Sequence, residues 1–332
     1  MKTSAWAVLL AAALSSFAVT AAATAASTGG HAVVAQHALG GSGGWDYLTF
    51  DAAAQRLFIA RDNRVMVVAA DSGKLLGEIP GMQHAHGVAL LPARQRAYVS
   101  NGRGNDVSVV DLRTLKVIKR IPVSGKNPDA IIFDSASGDV LAMNGDSNSI
   151  SVLDPQSNRE LGLIPLSGNP EFAASDGRGN VYVNLEDKGA LARVDIKTRK
   201  VLDVWPLAPC EGPTGLALDA AHARLFSVCA NGWMIVTDAH DGHQVARLRI
   251  GTHPDAVAWD AQRHDVLSSS GEGVLDVIHQ DDADHYSLQQ AVPTLKSART
   301  LALDPATHRV FLVGAESPRG APVTGFQLLT VD

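Results

Sequence analysis

Residues 86–123 read HGVALLPARQRAYVSNGRGNDVSVVDLRTLKVIKRIPV and contain four short segments of β-type sequence separated by turn residues. In the third segment Val107 and Val109 alternate with Ser108 and Val110, as is typical of a strand with two different faces. Four such segments with short connections predict one four-stranded antiparallel sheet. The segments are residues 86–91, 96–101, 106–111 and 116–123.

The apolar run that opens this unit recurs seven times, about every 40 to 44 residues, and usually ends at or near an Asp. A repeat of this length that carries short strands and turns is typical of a β-propeller. We therefore predict an all-β fold, a seven-bladed β-propeller of four-stranded antiparallel blades. The seven copies of the run are residues 47–51, 88–91, 130–134, 172–176, 216–219, 256–260 and 301–304.

The two ends of the chain are predicted to complete one blade together. The last repeat has only one further strand, within residues 323–330, and residues 31–39 precede the first inner strand without a blade of their own. The N-terminal segment should therefore supply the outer strand of the last blade, which closes the ring and covers its edges. Because the repetition is continuous, residues 27–332 are predicted to form a single domain.

Residues 1–26 have the composition of a secretory signal peptide that is cleaved near Ala25 or Ala26. Lys2 precedes an apolar stretch at residues 5–19, and an Ala-rich segment follows. Because the sequence has no other long apolar run, we expect no membrane span. These features predict a periplasmic or secreted protein.

The composition argues against one class of partner. The net charge is −6 and only 5% of the residues are aromatic. Nucleic-acid binding depends on clustered Lys and Arg or on aromatic stacking surfaces, so it is not expected here. We expect a monomer whose partner is a periplasmic protein or a small molecule.

The repeat register predicts which side chains meet around the central axis. The first strand of each blade lines the channel, so the residue that opens it lies on one face, the top, near the axis. These seven residues, called the channel ring below, would place four carboxylates, an imidazole, a hydroxyl and a guanidinium in one polar ligand site. The channel ring consists of Asp46, His86, Asp129, Glu171, Thr214, Asp255 and Arg299.

The second strands end on the same face and predict an outer ring of polar residues. Both cysteines, Cys210 and Cys229, also fall at this face, so we predict that they form a disulfide. That bond would hold Glu211 at the mouth of the channel. The outer ring consists of Asn101, Asn144, Asn184, Glu186, Glu211 and Asn231.

Two sets of side chains are candidate ligands for a divalent metal, which is the one cofactor that the sequence suggests. His84 and His86 lie two residues apart and would face the same side of a strand, as zinc or copper ligands require. Asp129, Glu171 and Asp255 offer the oxygen ligands that a hard cation such as calcium prefers.

Several segments resemble a known family. Residues 97–102 (AYVSNG) and 181–184 (VYVN) resemble the YVTN repeat. Residues 44–48, 127–130, 168–172, 210–217 and 298–304 resemble the YncE-like secreted propellers of that group. The resemblance spans about residues 41–315, nearly the whole mature chain, and implies a seven-bladed propeller without a settled reaction. The sixth repeat departs from the pattern, since SSSGEG at residues 268–273 replaces the usual Asn-Gly pair.

The favoured functional hypothesis is a non-catalytic binding or scaffolding propeller. The sequence has no nucleophile elbow, phosphate-binding loop or zinc-protease helix motif. The alternative is a metal-dependent hydrolase or lyase that resembles the propeller lactonases, with His86 or Asp129 as general acid or base. The cation of this lactonase-like site would be held by Glu171, Asn184, Asn231 and Asp255. A quinone-dependent dehydrogenase is a third, weaker hypothesis.

Overall fold

Short β-strands separated by turns make up nearly all of the regular structure in the computed structural model, which describes Met1, residues 30–316 and residues 323–332. Apart from Met1, the predicted signal peptide at residues 1–26 lies outside the described residues. The strands all belong to the unit His31–Asp332. Among the described residues, no helix is both long enough and apolar enough to cross a membrane.

The described residues contain 26 strands, numbered here in chain order. The first thirteen are β1 Val33–Ala38, β2 Leu48–Asp51, β3 Arg56–Ala69, β4 Leu75–Leu91, β5 Arg96–Asn101, β6 Asp106–Asp111, β7 Lys116–Pro122, β8 Pro128–Phe133, β9 Val140–Asn144, β10 Ser149–Asp154, β11 Arg159–Pro165, β12 Pro170–Ser175 and β13 Asn180–Leu185. The others are β14 Ala190–Asp195, β15 Lys200–Pro206, β16 Pro213–Asp219, β17 Arg224–Cys229, β18 Trp233–Asp238, β19 Gln244–Arg249, β20 Pro254–Asp260, β21 Asp265–Ser270, β22 Val274–Gln280, β23 Tyr286–Pro293, β24 Thr300–Leu303, β25 Val310–Gly314 and β26 Gln327–Val331. Short 3₁₀ helices lie at Pro92–Arg94, Gly145–Ser147 and Glu186–Lys188.

Hydrogen bonds join these strands into six antiparallel sheets in the described part of the chain. Four sheets each contain four consecutive strands: β8 to β11, β12 to β15, β16 to β19 and β20 to β23. A fifth has the order β1-β26-β25-β24, and the sixth contains β2 to β7 in sequence order. The prediction of an all-β fold built from four-stranded antiparallel blades is therefore confirmed.

The prediction of seven separate blades is wrong, because the first two repeats share the six-stranded sheet. Strand β4 is 17 residues long and joins the last strand of the first repeat to the inner strand of the second repeat, which opens at His86. Strand β3, with 14 residues, lies within the first repeat. Arg64 pairs with Pro80 and Asp62 pairs with Ala85, so residues 81–84 of β4 form an irregularity in the register. Because β4 is one unbroken strand, six sheets contain the seven repeats.

The seven apolar runs nevertheless supply seven inner strands: β2, the second half of β4, β8, β12, β16, β20 and β24. Consecutive inner strands contact one another, and β24 contacts β2. The N-terminal strand β1 pairs with β26, from Val33 opposite Val331 to Ala38 opposite Gln327. It is therefore the outer strand of the sheet that also contains the C-terminal strands.

The apolar core lies between neighbouring sheets. One cluster of buried side chains combines Ile59 and Met66 of the six-stranded sheet with Phe311 and Val313 of the β1-β26-β25-β24 sheet. Face-to-face packing of this kind buries both faces of each sheet, and every 100 Å² of apolar surface removed from water contributes roughly 2.5 kcal/mol. The packed sheets hold the ends of the inner strands in fixed positions around the channel.

The two cysteines form the predicted disulfide. Their Cα atoms are 5.5 Å apart, and 19 positions separate them in the sequence. Cys229 ends β17 and lies opposite Pro213 of β16, while Cys210 lies in the loop that enters β16. Both side chains are buried. The bond therefore fixes the loop that carries Glu211.

Candidate functional site

Five of the seven channel-ring residues form one connected chain of ion pairs. His86 Nδ1 lies 2.6 Å from Asp46 Oδ2 and 3.3 Å from Asp129 Oδ1. On the other side of Asp46, the Arg299 guanidinium lies 3.9 Å from Asp46 Oδ1 and bonds directly to Asp255. Residues from the first, second, third, sixth and seventh repeats therefore meet in one space.

Glu171 joins this group through Tyr47, a residue that the sequence analysis missed. The Tyr47 hydroxyl donates a hydrogen bond to Glu171 Oε1 at 3.3 Å, and its ring centroid lies 5.2 Å from that of Phe172. Tyr47 and Phe172 belong to the first and fourth repeats, so they meet across the channel. The sequence does carry a signal, because aromatic residues follow the channel-ring residue only at Tyr47 and Phe172. The other five repeats have Gly87, Ala130, Gly215, Ala256 and Thr300 at that position.

Three asparagines of the predicted outer ring are buried and bonded within the fold. Asn101 Nδ2 donates to Asp106 Oδ1 at 2.7 Å, and Asn144 Nδ2 likewise donates to Ser hydroxyls of the next strand, β10. Asn184 Nδ2 donates to the carbonyl oxygens of Thr214 and Gly215 in the neighbouring sheet. These amide groups therefore hold strands together and do not face the channel-ring cavity.

The remaining predicted residues lie at the rim. Asn231 Nδ2 donates to the Pro209 carbonyl, and its Oδ1 accepts the backbone N–H of Glu211, so it braces the disulfide loop. Glu186 accepts a hydrogen bond from Asn169. The hydroxyl of the channel-ring residue Thr214 is bonded to the Pro254 carbonyl at 2.8 Å. Thr214 therefore joins two sheets.

A cavity of about 400 Å³ opens beside the channel ring, and an adjoining cavity of about 380 Å³ shares His84 and Arg103 with it. Volumes of this size are typical of small-molecule sites. The first cavity is lined by Asp46, Asp62, His84, His86, Arg103 and Arg299, among others.

Negative charge dominates the channel ring. Burial, and then the charge of Asp46, raise the pKa of Asp129 to about 7. Burial raises the pKa of Asp255 to about 6 although Arg299 opposes the shift. Burial and the charge of Asp129 hold the pKa of Glu171 well above its usual range. Burial and the neighbouring carboxylates together therefore outweigh the positive charge of Arg299 and His86.

The surroundings of His84 and His86, the two histidines of the cavity, shift their pKa values in opposite directions. Burial opposes the charged form of His86, but its hydrogen bond to Asp46 and the charge of Asp129 outweigh burial and raise its pKa. Burial and the nearby His86 lower the pKa of His84. His84 Nδ1 lies 2.8 Å from His86 Nε2, so one of these two nitrogens donates a hydrogen bond to the other.

The structure brings only some of the predicted metal ligands together. Asp46, His86 and Asp129 each offer a ligand atom, and these atoms all lie within 4.8 Å of one another. Among the described residues, Glu171 and Asp255 belong to no such group. The lactonase-like set is not assembled either, because the Asn184 and Asn231 side chains are bonded as described above.

We expect Asp129→Asn to stabilise the protein more at pH 8 than at pH 5, by roughly 2 kcal/mol, since one pKa unit is worth about 1.4 kcal/mol. The folded protein holds the Asp129 proton more tightly than the unfolded chain does, because the folded pKa is about 7. The carboxyl's contribution to stability is therefore complete below about pH 4 and is lost as the pH rises through about 7. Urea unfolding of both proteins at the two pH values measures this difference, and an equal difference at both would contradict it.

No protein-family model and no curated protein matches the sequence, but solved structures match the fold. The hydrazine synthase structure from Kuenenia stuttgartiensis has a TM-score of 0.72 at 20% identity, covering 82% of this chain and 92% of that one. The RRP9 WD40 repeats give 0.79 at 12% identity, with 91% and 98% covered. A chain of the mitotic checkpoint complex gives 0.77 at 13% identity, with 96% and 98% covered. At these identities the likeness establishes a β-propeller fold and nothing further.

Proposed function

We propose that this β-propeller is a binding protein whose channel ring captures a cationic ligand. One observation carries the proposal: the carboxyl groups of Asp129, Glu171 and Asp255 meet in the channel ring, where burial and the charges of neighbouring carboxylates raise their pKa values. A bound cation would relieve this repulsion, and attraction between unit charges about 4 Å apart near a protein surface amounts to about 4 kcal/mol.

The cavity sets limits on the size of the ligand. The cavity of about 400 Å³ is lined by the carboxylates of Asp46 and Asp62, and Asp46 connects it through His86 to Asp129. Its volume accommodates a hydrated metal ion or a small organic amine. Both are cations and use the same carboxylates, so the charge pattern alone does not choose between them. The rigid sheets around the channel suit a preformed site of this kind.

The hydrolase alternative has less support. It requires Asn184 and Asn231 as metal ligands through Oδ1. The Asn184 Oδ1 atom accepts the Ser227 hydroxyl at 2.9 Å, and the Asn231 Oδ1 atom accepts the Glu211 backbone N–H at 3.2 Å. The His86 imidazole is held between two carboxylates, which suits charge compensation. We therefore favour binding over catalysis.

The strand pairing and the disulfide bear on the family of the protein and on its cellular location. The contacts between consecutive inner strands and the β1–β26 pairing support a YncE-like propeller whose ring is closed by β1. The disulfide supports export to an oxidising compartment, where such bonds persist. A periplasmic binding protein is the role that combines these features.

The proposal is tested by calorimetric titration of the purified protein with Ca²⁺, Mn²⁺ and spermidine, and with sulfate as an anionic control. We expect at least one cation to bind and sulfate not to bind. The double variant Asp129→Asn with Glu171→Gln removes two negative charges, so its affinity for the bound cation should fall at least tenfold, about 1.4 kcal/mol.

A matched variant, Glu160→Gln with Asp282→Asn, removes two carboxylates outside the channel ring. It should bind the cation as the unchanged protein does. The proposal fails if no cation binds, if sulfate binds equally well, or if the two double variants have the same affinity. Ca²⁺ and spermidine separate a metal ligand from an amine ligand.

A further inference from the structure

The environment of His86 leaves one ring nitrogen available as a ligand. Its Nδ1 faces the carboxylates of Asp46 and Asp129 at 2.6 and 3.3 Å. A neutral imidazole that donates its Nδ1–H to a carboxylate presents a lone pair at Nε2. Carboxylate-oriented histidines of this kind are the usual arrangement at protein metal sites. The structure thus orients His86 Nε2 as a ligand atom, and that atom faces His84.

His84 places a second imidazole beside that nitrogen. It lies two residues before the channel-ring residue and has a φ of 64°, in the left-handed region. The equivalent residues Asn127, Gly212 and His253 have φ values of 54°, 59° and 54°, so this turn is shared between repeats and does not itself require a histidine. The observation that points to a ligand is the position of the His84 side chain, whose Nδ1 lies 2.8 Å from His86 Nε2.

We propose that His84 Nδ1 and His86 Nε2 bind a borderline divalent transition metal such as Zn²⁺. This goes beyond the capture of a cation by the channel ring, because the metal would lie between the two imidazoles. Zinc–nitrogen bonds of about 2.0–2.1 Å place two imidazole nitrogens roughly 3.3 Å apart, so the rings must separate by about 0.5 Å. His84 is partly exposed and borders two cavities, which give its ring room to move.

The cavities around His84 provide access and open coordination positions. His84 lines both the cavity of about 400 Å³ and the adjoining one of about 380 Å³. Arg103 and Asp62 line the first cavity as well and lie 3.7 Å from each other, so the carboxylate offsets the guanidinium near the metal. With two protein ligands, the remaining positions are left to water or to a small ligand.

The test is titration of the purified protein, with any affinity tag removed, using Zn²⁺ by calorimetry and Co²⁺ by visible absorption. We expect one metal per chain and at least tenfold weaker binding in His84→Asn, since Asn also tolerates the left-handed region. The matched control is His253→Asn, because His253 occupies the equivalent position in another repeat with a φ of 54°. That variant should bind the metal unchanged.

Three outcomes would overturn the inference: no Zn²⁺ binding, equal binding by His84→Asn and the unchanged protein, or equal losses in the two histidine variants. The Glu171→Gln variant separates this site from cation capture by the channel ring. Zn²⁺ binding that depends on His84 and survives Glu171→Gln supports the imidazole site even if Ca²⁺ and spermidine do not bind. Binding of Ca²⁺ or spermidine without Zn²⁺ refutes the imidazole site and leaves the proposed function intact.

Discussion

Replacing Arg61 with Met should lower the free energy of unfolding by about 3 kcal/mol, because buried hydrogen bonds to a charged group are lost. The Arg61 side chain is fully buried, and no carboxylate of the described residues forms an ion pair with it. Its guanidinium donates to five backbone carbonyl oxygens in residues 40–44 at 3.0 to 3.4 Å. It also lies 3.7 Å from the centroid of the Phe326 ring. Burial lowers the pKa of Arg61 to about 10, so the group stays charged at neutral pH.

The loop that Arg61 holds leads directly to Asp46 of the channel ring. Gly40, Gly41 and Gly43 all have positive φ values, which turn successive carbonyls toward one point. Without the guanidinium those carbonyls lose their shared donor, and the loop loses the contact that fixes it. The substitution should therefore weaken cation binding as well as stability.

Urea unfolding measures the Arg61 effect, with Arg113→Met as the matched control. The Arg113 side chain is 74% exposed, so its replacement should change the free energy of unfolding by less than about 0.5 kcal/mol. Arg61→Lys keeps the charge but not the planar fork of donors, so it should restore only part of the loss. A loss below about 1 kcal/mol for Arg61→Met would show that the loop does not depend on this contact.

Removing the disulfide is expected to cost about 3 kcal/mol, the value for a closed loop of this size. The bond closes a loop of 19 positions, and in the reduced unfolded chain that loop is free to expand. Reduction should also release Glu211 and the loop that Asn231 braces.

Two measurements check the disulfide effect. Denaturant unfolding with and without a reductant gives the stability change, and Cys210→Ala with Cys229→Ala gives it without free thiols. Both should shift the midpoint downward. A midpoint that reduction leaves unchanged would mean that the loop is held by its other contacts alone.

The repeat in the sequence predicted the strands well because turn residues and alternation mark their ends. Strands β5 and β6 have the predicted bounds, Arg96–Asn101 and Asp106–Asp111. The joining of the first two repeats could not be read in the same way. Gly81 is a turn-type residue with a φ of 82°, yet strand β4 runs through it from Leu75 to Leu91. Whether a strand continues past such a residue depends on its partner strand.

For the site, the register predicted which residues meet but not how they pair. That Asp46 and His86 occupy equivalent places follows from the repeat period, whereas the contact of Arg299 with both Asp255 and Asp46 depends on side-chain reach. The asparagines illustrate the limit of this reasoning. Asn184 lies at the predicted face, but its amide turns into the neighbouring sheet to satisfy buried carbonyls.

The central claim, that a cation binds at the channel ring, is tested most directly by carboxyl-detected NMR of protein labelled at Asp and Glu. Titration with the cation found by calorimetry should shift the carboxyl resonances of Asp46, Asp129, Glu171 and Asp255 together. The resonance of Asp282, whose side chain is 61% exposed, should stay unchanged. Shifts confined to exposed carboxylates, or no shift at the four channel-ring residues, would contradict the claim.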